Sequence, residues 1–341
     1  MANIYDVAKR AGVSVSTVSA VVNDTAYVSR TLQSRVREAI EDLGYRPNLL
    51  ARSLAKQKSH MIGMIVPDIA NPFWPQVVRG AEDKAHQAGY TLLLSNSEDD
   101  PEKEALYLNV FLAKRVDGIL LAKAPGTLDR KLAAQLRAAR IPIALVVRVS
   151  RGLPVDHVVL DDRDAGYEAG AHLVRLGYQR IGIINGLASV SSTRQRLAGF
   201  KTALKDAGRP FVASLACHGD FRVDSGYRAG LDVLKQKPDA VFITNYLMAV
   251  GFMRALRQYQ LRCPEDVAIV TCDDHPWLDS FGPGLTTVNF PKYELGSEAS
   301  RVLIDRLTRP GGPPQAVELN SALTIRESCG FRLRRGATAI A

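Results

Sequence analysis

The sequence predicts a small all-α head followed by an α/β body built as two doubly wound parallel-sheet lobes. Three observations carry that expectation. The first 45 residues show helical periodicity punctuated by glycine. From Met61 onward, short apolar β-rich runs alternate with helical patterns, the sign of parallel strands covered by helices. The alternation then starts again near Leu160, so that two similar halves lie in series.

Composition supports a folded chain. Of 341 residues, 46% are hydrophobic and 23% charged, enough to bury two or three cores without staples. The longest apolar runs, such as IPIALVV from Ile141 to Val147, fall far short of the ~20 residues that span a bilayer. The N-terminal MANIYDVAKR lacks an apolar stretch with a small-residue cleavage site, so the expected location is the cytoplasm. Cys217, Cys263, Cys272 and Cys329 are widely separated, with no CxxC and no histidine at zinc-ligand spacing. Neither a disulfide framework nor a metal site is expected, and no cofactor.

In the head, Ile4 to Ala11 places Val7, Ala8 and Ala11 on one face and stops at Gly12. Ser14 suits the cap of a second helix running to about Val22, with Val18, Val21 and Val22 facing inward. Ser16, Ala20 and Asn23 then point outward, Thr17 and Ser19 lie on the shoulders, and Val15 sits at the exposed tip. A third helix from about Thr31 turns Val36, Ala39, Ile40 and Leu43 inward and closes at Gly44. Two short helices around a glycine turn, braced by a third, form a helix-turn-helix unit. Its small polar outer face fits a DNA major groove about 12 Å wide. Periodicity alone fits a three-helix packing module that binds nothing equally well.

Charge distinguishes the two parts. Residues 1–60 carry nine Lys and Arg against five Asp and Glu, and the last eleven residues carry three Arg and no acid, out of a net +9. The 270 residues between are nearly neutral. A basic head on a neutral body is the distribution expected when one end meets a polyanion. Between the two, Asn48 to Ser59 reads as a short helix ending near Ala55, too short to be stable in isolation; a plain linker helix fits the same residues.

The strands of the body are read from IGMIV, YTLLLS, VDGILLA, IPIALVV and HVVL, then RIGIIN, SLACHG, AVFITN, VAIVTC and LTTV, with Gln315 to Arg326 returning for a final strand. Ligands of open parallel sheets sit beyond the carboxyl ends of strands. The informative residues are therefore Pro67 to Trp74, Ser95 to Ser97, Asp161, Asn185 to Arg196, Asn245, and Asp273 to Trp277.

DVAKRAGVSVSTVSAVVN followed by VSRTLQSRVREAIEDLGYRPNLLARSLA closely resembles the DNA-binding module of the lactose-repressor (LacI) family of bacterial transcription regulators. VPDIANPFW, RVDGILL, RLAGF, GDFRVDSGYRAG, TNYLMAVGFMRAL, PEDVAIVTCDD, LTTV and TIRESC resemble its effector-binding core, which is similar to periplasmic sugar-binding proteins. The resemblance implies an N-terminal all-α helix-turn-helix head plus an α/β periplasmic-binding-protein-like core of two doubly wound parallel-sheet lobes. It implies domains at 1–46 (head), 47–60 (hinge), 61–160 with 289–326 (first lobe), 161–288 (second lobe) and 327–341 (tail). Val15, Ser16 and Ala20 would read bases, and Ser14, Thr17, Ser19, Asn23 and Ser29 would contact phosphates or the groove. A hinge helix would order on operator DNA, pair with its dimer mate and push Leu54 between base pairs, flanked by Arg52 and Lys56 on phosphates. Phe73, Trp74, Asp161, Arg196, Phe221, Asn245 and Asp273 would line the cleft; taken alone, Phe73 and Phe221 also fit core residues, Arg196 a surface ion-pair partner, and Asp161 with Asp162 and Asp164 a solvated run or helix cap. An aromatic covers a sugar's C–H face there, and Asp, Asn and Arg exchange hydrogen bonds with its hydroxyls.

The sequence departs from that family pattern in several places. Ala20 stands where a basic residue is usual, Tyr246 replaces an acid, and Thr271-Cys272 replace a Gly-aromatic pair. Ser192 and Arg194 add polar groups before RLAGF, and Trp277 falls at the cleft mouth or a dimer face. No GxGxxG, GK[ST], GxSxG or HExxH occurs, which argues against an enzyme and leaves no catalytic residue to name. A sugar-binding protein without a DNA role is the alternative; the basic head argues against it. The reading is a cytoplasmic, ligand-responsive repressor of carbohydrate-metabolism genes, a homodimer whose partners are double-stranded operator DNA and a sugar-like effector, with no membrane contact. No leucine-heptad tail for a tetramer follows Gly330.

Overall fold

The computed structural model describes residues 2–23, 26–45, 58–150, 152–278 and 282–333. The chain divides into two compact units, Met1–His60 and Met61–Ala341.

The first unit is three helices: α1 (Ile4–Ala11), α2 (Val15–Asn23) and α3 (Arg30–Leu43). Asn3 and Asp6 close a capping box at the start of α1. Gly12 ends it at φ +63°, a left-handed turn in which a Cβ would also stand 2.6 Å from Arg35 Nη2. The left-handed φ is what favours glycine there, since the Arg35 guanidinium is the far end of a flexible side chain. Val7, Ala8, Ala11, Val18, Val36 and Ala39 make the small core, with Val15, Val21, Val22 and Ile40 packed around it half-buried. Two inward-outward assignments change: Leu43 is 36% exposed, because it falls on the last turn of α3 where little remains to cover it, and Val15 lies against the core rather than at a free tip. The hinge positions Arg52, Leu54 and Lys56 lie outside the described residues.

The second unit holds two six-stranded sheets. The first contains β1 (Met61–Val66), β2 (Thr91–Asn96), β3 (Gly118–Leu121), β4 (Ile143–Val146), β5 (Asp156–Leu160) and β11 (Ala316–Leu319), in the order β11-β5-β4-β3-β1-β2 and parallel throughout. The second contains β6 (Ile181–Asn185), β7 (Ala216–His218), β8 (Ala240–Ile243), β9 (Ala268–Cys272), β10 (Thr286–Asn289) and β12 (Ala322–Thr324), in the order β12-β10-β9-β8-β6-β7. Only the β10–β12 pairing is antiparallel. Each predicted apolar run contains a strand.

The helices are α4 (Phe73–Gln87), α5 (Pro101–Lys114), α6 (Arg130–Ala138), α7 (Asp162–Arg175), α8 (Ser191–Asp206), α9 (Val223–Leu234), α10 (Tyr246–Gln258) and α11 (Lys292–Thr308). Both faces of each sheet are apolar. Along β1, Ile62, Met64 and Val66 join one core cluster and Ile65 another; along β8, Phe242 and Ile243 divide in the same way. This is period-two alternation with helices on both sides.

The last stretch departs from expectation. Gln315 to Arg326 holds two strands, and they part company: β11 pairs with β5 in the first sheet, while β12 pairs with β10 in the second. Residues 322–326 therefore do not return to the first lobe as the expected 289–326 segment did. Two very short strands separated only by Asn320 and Ser321 read as one in sequence.

In both sheets the strand order reverses beside the first strand, between β1 and β3 and again between β6 and β8. A crevice opens at the carboxyl ends of strands at such reversals.

Candidate functional site

A cavity lies there, lined from the first lobe by Pro67, Asp68, Asn71, Phe73, Trp74, Glu98, Asp99, Val147 and Arg148. The second lobe contributes Ser192, Arg196, Asp220, Phe221, Arg222, Asn245 and Asp273. Asn71 fixes the start of α4 by accepting the Phe73 N–H at 3.1 Å. That places Phe73 and Trp74 edge to face, with ring centroids 5.1 Å apart.

Arg196 is buried to 7% exposure. Its Nε donates to Asp162 Oδ1 at 2.7 Å and its Nη1 to the Thr244 carbonyl at 2.5 Å, while the guanidinium lies 4.9 Å from the centre of the Phe290 ring. Burial works against the charge, but Asp162, with Asp273, outweighs it and raises the proton affinity of Arg196. The same burial pushes the Cys272 thiol up to about 12, so it stays protonated. Asp273 follows β9 with φ +74° and donates its N–H to the Val288 carbonyl at 3.0 Å. Its side chain is 3% exposed, and Oδ1 has no hydrogen-bond partner. A buried acceptor left open costs free energy until a donor reaches it. Asn245 caps α10 by accepting the Met248 N–H at 3.2 Å through Oδ1, which leaves its amide N–H groups as donors.

Phe221, at φ +68°, packs closely against Gly186, where a Cβ would stand 2.0 Å from the ring. Across the cleft the Arg148 guanidinium lies 5.7 Å from the Phe221 centroid. Arg148 is held from behind by Asp99, and Nη1 also reaches the Lys123 carbonyl at 3.3 Å. It thus joins a first-lobe ion pair to a second-lobe aromatic.

In the head, Ser14 Oγ accepts the Thr17 N–H at 3.1 Å and lies 2.7 Å from Ser16 Oγ and 2.8 Å from Thr17 Oγ1. Asn23 Nδ2 donates to the Ser19 carbonyl at 2.9 Å and to Ser19 Oγ at 3.3 Å, while Asn23 Oδ1 has no partner. Ser16 and Ser29 are exposed, and Thr17, Ser19 and Ala20 half-exposed. Ser29 precedes α3 without capping it through its side chain.

The model described as bacterial regulatory proteins, lacI family, matches residues 3–48, and that of a periplasmic binding protein-like domain matches residues 171–329. The transcriptional regulator DegA of Bacillus subtilis (strain 168) is 36% identical over 327 residues, 95% of this chain and 97% of its own. The chain belongs to the lacI family of bacterial regulatory proteins. The repressor PurR of Edwardsiella ictaluri (strain 93-146) is 36% identical, covering 96% of the regulator and 97% of its own length. Among solved structures, a CelR–cellobiose complex is 32% identical with TM-score 0.72, covering 96% of the regulator and all of that chain. The lac repressor dimer bound to operator and the anti-inducer ONPF is 29% identical with TM-score 0.85, covering 96% and 99%. The regulator is a DNA-binding transcription regulator and, like these relatives, not an enzyme. Among the described residues no helix is long and apolar enough to cross a membrane.

The cavity of the regulator brings together Phe73, Trp74, Arg196, Phe221, Asn245 and Asp273. Asp161 is a correction: it caps α7, accepting the Asp164 N–H at 2.8 Å, and is not among the residues lining the cavity. The residue after it, Asp162, is the one that matters, as the counter-ion of Arg196. Trp277 is placed as well. It stacks on His275 at 4.9 Å, donates Nε1–H to Tyr246 Oη at 2.9 Å, and does not line this cavity. Arg148 and Asp99 were missed, although the rule of looking just past each apolar run leads directly to Arg148.

Proposed function

We propose that the regulator is a repressor of carbohydrate-metabolism genes, active in the cytoplasm as a homodimer, whose operator affinity is set by a small sugar-like effector in the cleft between the lobes. The observation that carries this reading is the open Oδ1 of Asp273. It is a buried acceptor beside the donors of Arg196 and Asn245, with Trp74 and Phe221 lining the same cavity, and a polyol supplies both hydroxyl donors and C–H faces to such a set. The cellobiose complex of CelR lends support. On this reading Val15, Ser16 and Ala20 face bases, and Ser14, Thr17, Ser19, Asn23 and Ser29 face phosphates or the groove. The Ala20 methyl cannot bond guanine, so the operator is weakly selective opposite it.

The test is a gel shift on DNA upstream of the regulator's own gene, with a panel of sugars, sugar phosphates and nucleobases. One sugar-class compound is expected to change operator affinity by roughly 1–3 kcal/mol. Asp273→Asn, a replacement tolerated at positive φ, should weaken that response while leaving ligand-free DNA binding in place. A nucleobase acting where every sugar fails would overturn the effector class, and a response unaltered by Asp273→Asn would move the site.

A further inference from the structure

Beside the first cavity lies a second, lined by Lys123, Ala124, Pro125, Gly126 and Thr127 after β3, Arg148 to Ser150 after β4, and Ser189 to Ser191 with Arg194 at the start of α8. Arg148 lines both, so the two adjoin at that side chain. Their charges differ. The first counts Asp68, Glu98, Asp99, Asp220 and Asp273 among its walls; the second has no acid at all, three cations, and the hydroxyls of Thr127, Ser150, Ser189 and Ser191.

We infer that this second cavity is an anion subsite, taking the phosphoryl or carboxylate group of a ligand whose hydroxylated end occupies the first. Two of its cations are fixed and buried. Lys123, 4% exposed, is held by Glu104 at 2.7 Å, and Arg148 by Asp99. Lys123 Nζ also donates to the Ala124 carbonyl at 2.8 Å, and neither carboxylate lines the second cavity, so both cations are held in position from outside it. The third, Arg194, donates through Nη1 to the carbonyls of Ala188 and Ser189 at 3.3 and 2.6 Å, and no carboxylate lines the cavity around it. Its charge is uncompensated within the cavity. The first turn of α8 has no side-chain cap, and its free N–H groups add to the same field. Ser191 Oγ accepts the Val149 N–H at 3.1 Å, which leaves its hydroxyl proton to donate. An anionic group placed in the first cavity would instead meet Asp273, whereas the second is lined by no carboxylate. The inference relies on the cleft reading only for the hydroxylated end of the ligand.

The test uses the full chain and inorganic phosphate at constant ionic strength balanced with chloride. Binding is read from tryptophan fluorescence during thermal unfolding. Trp74 and Trp277 are the two tryptophans and both belong to the second unit, so phosphate on the basic head does not register. Phosphate is expected to raise the transition temperature more than chloride does. Arg194→Ala should weaken phosphate at least tenfold and Arg194→Glu should abolish its effect, while Arg194→Lys keeps part of it. Lys235→Ala, which removes an exposed cation after α9, should respond as the unaltered protein. Because Arg194 is exposed, its variants should unfold normally without phosphate. A phosphate effect equal to that of chloride, or one unchanged by Arg194→Glu, overturns the inference.

Glucose with glucose 6-phosphate, and ribose with ribose 5-phosphate, identify the source of the anion. A sugar phosphate that binds more tightly than both its parent sugar and phosphate makes the anion part of the effector. Equal binding of sugar phosphate and phosphate makes it a separate ion. Arg194-dependent phosphate binding with no response to any sugar would overturn the cleft reading and leave the subsite in place.

Discussion

The head and the cleft organise their contact groups in opposite ways. In the head, the core is Val7, Ala8, Ala11, Val18, Val36 and Ala39, and the polar groups of α2 stand outside it. On the proposed assignment scaffold and contact are mostly different residues of one helix, the exceptions being Val15, which packs against the core, and Ser14, which closes the first turn. In the cleft they are the same residues. Arg196 lines the cavity and is also the counter-ion of Asp162 and the donor to the Thr244 carbonyl; Asn245 lines it and caps α10. A substitution in the head is therefore expected to remove either folding or contact, whereas one in the cleft removes both unless it preserves the network.

The largest expected effect is at Arg196. Arg196→Ala leaves Asp162 buried with its counter-ion gone, and breaking one side of such a pair costs about 3–5 kcal/mol. Urea unfolding followed by tryptophan fluorescence should show a loss of that size in the body, with the ligand response lost alongside it. Replacing both partners, Arg196→Met with Asp162→Leu, should recover much of the stability and none of the response. A loss below about 1 kcal/mol in the single variant would mean that the pair is not structural, and the contrast with the head would fail.

Next comes the scaffold of the head. Val18 is fully buried among few partners, and removing two methyl groups from such a site costs about 2 kcal/mol. A small core has little stability to spare. Val18→Ala should weaken DNA binding severely and leave the tryptophan-detected unfolding of the body where it was. A shift of both would show that the two units unfold as one.

The same contrast explains what was legible in the sequence. The head was read almost to the residue, because a helix that is packed on one side and wet on the other writes its role in a 3.6-residue period, and Gly12 and Gly44 mark its ends. The strands were equally visible as apolar runs. The cleft was readable only in part. Asp161 stands just past a strand, as a ligand-binding residue should, yet a carboxylate there also caps the helix that follows, and residue type alone does not separate the two. Arg148 was open to the same rule, since it stands directly past the apolar run Ile141–Val147 that contains β4. Long-range partners such as Arg196 with Asp162, or Arg148 with Asp99, are set by tertiary geometry and carry no local period.

A smaller effect distinguishes the body by pH. His172 on α7 is buried, with Nε2 unpartnered; desolvation, aided by the Arg175 charge, pushes its pKa down from 6.5 to about 4. The folded body therefore binds this proton more weakly than the unfolded chain does. Stability is complete above about pH 6.5 and falls as the pH drops towards 4, by about 2 kcal/mol between pH 7.5 and 5. His172→Gln should flatten that part of the profile. An equal slope in the variant would assign the acid sensitivity to other groups.

The smallest effects test the separation of scaffold from contact inside the head itself, using two serines on the same helix. Ser14 Oγ accepts the Thr17 N–H, so it closes the first turn of α2, and Ser14→Ala should cost the head about 1 kcal/mol. Ser16 is exposed, and its hydroxyl meets only that of Ser14, so Ser16→Ala should change head stability by less than about 0.5 kcal/mol. Both should weaken DNA binding by similar modest factors, about fivefold for a lost hydrogen bond worth ~1 kcal/mol, but for different reasons. If Ser14 supports the helix and touches phosphate, its loss lowers affinity evenly across sequences. If Ser16 faces a base edge, its loss lowers affinity for the preferred site and spares non-specific DNA. Competition binding on a preferred and a scrambled duplex reads the difference directly. A Ser16→Ala variant that loses affinity equally for both duplexes would move Ser16 to the phosphates, and the base-reading face of α2 would then rest on Val15 and Ala20 alone.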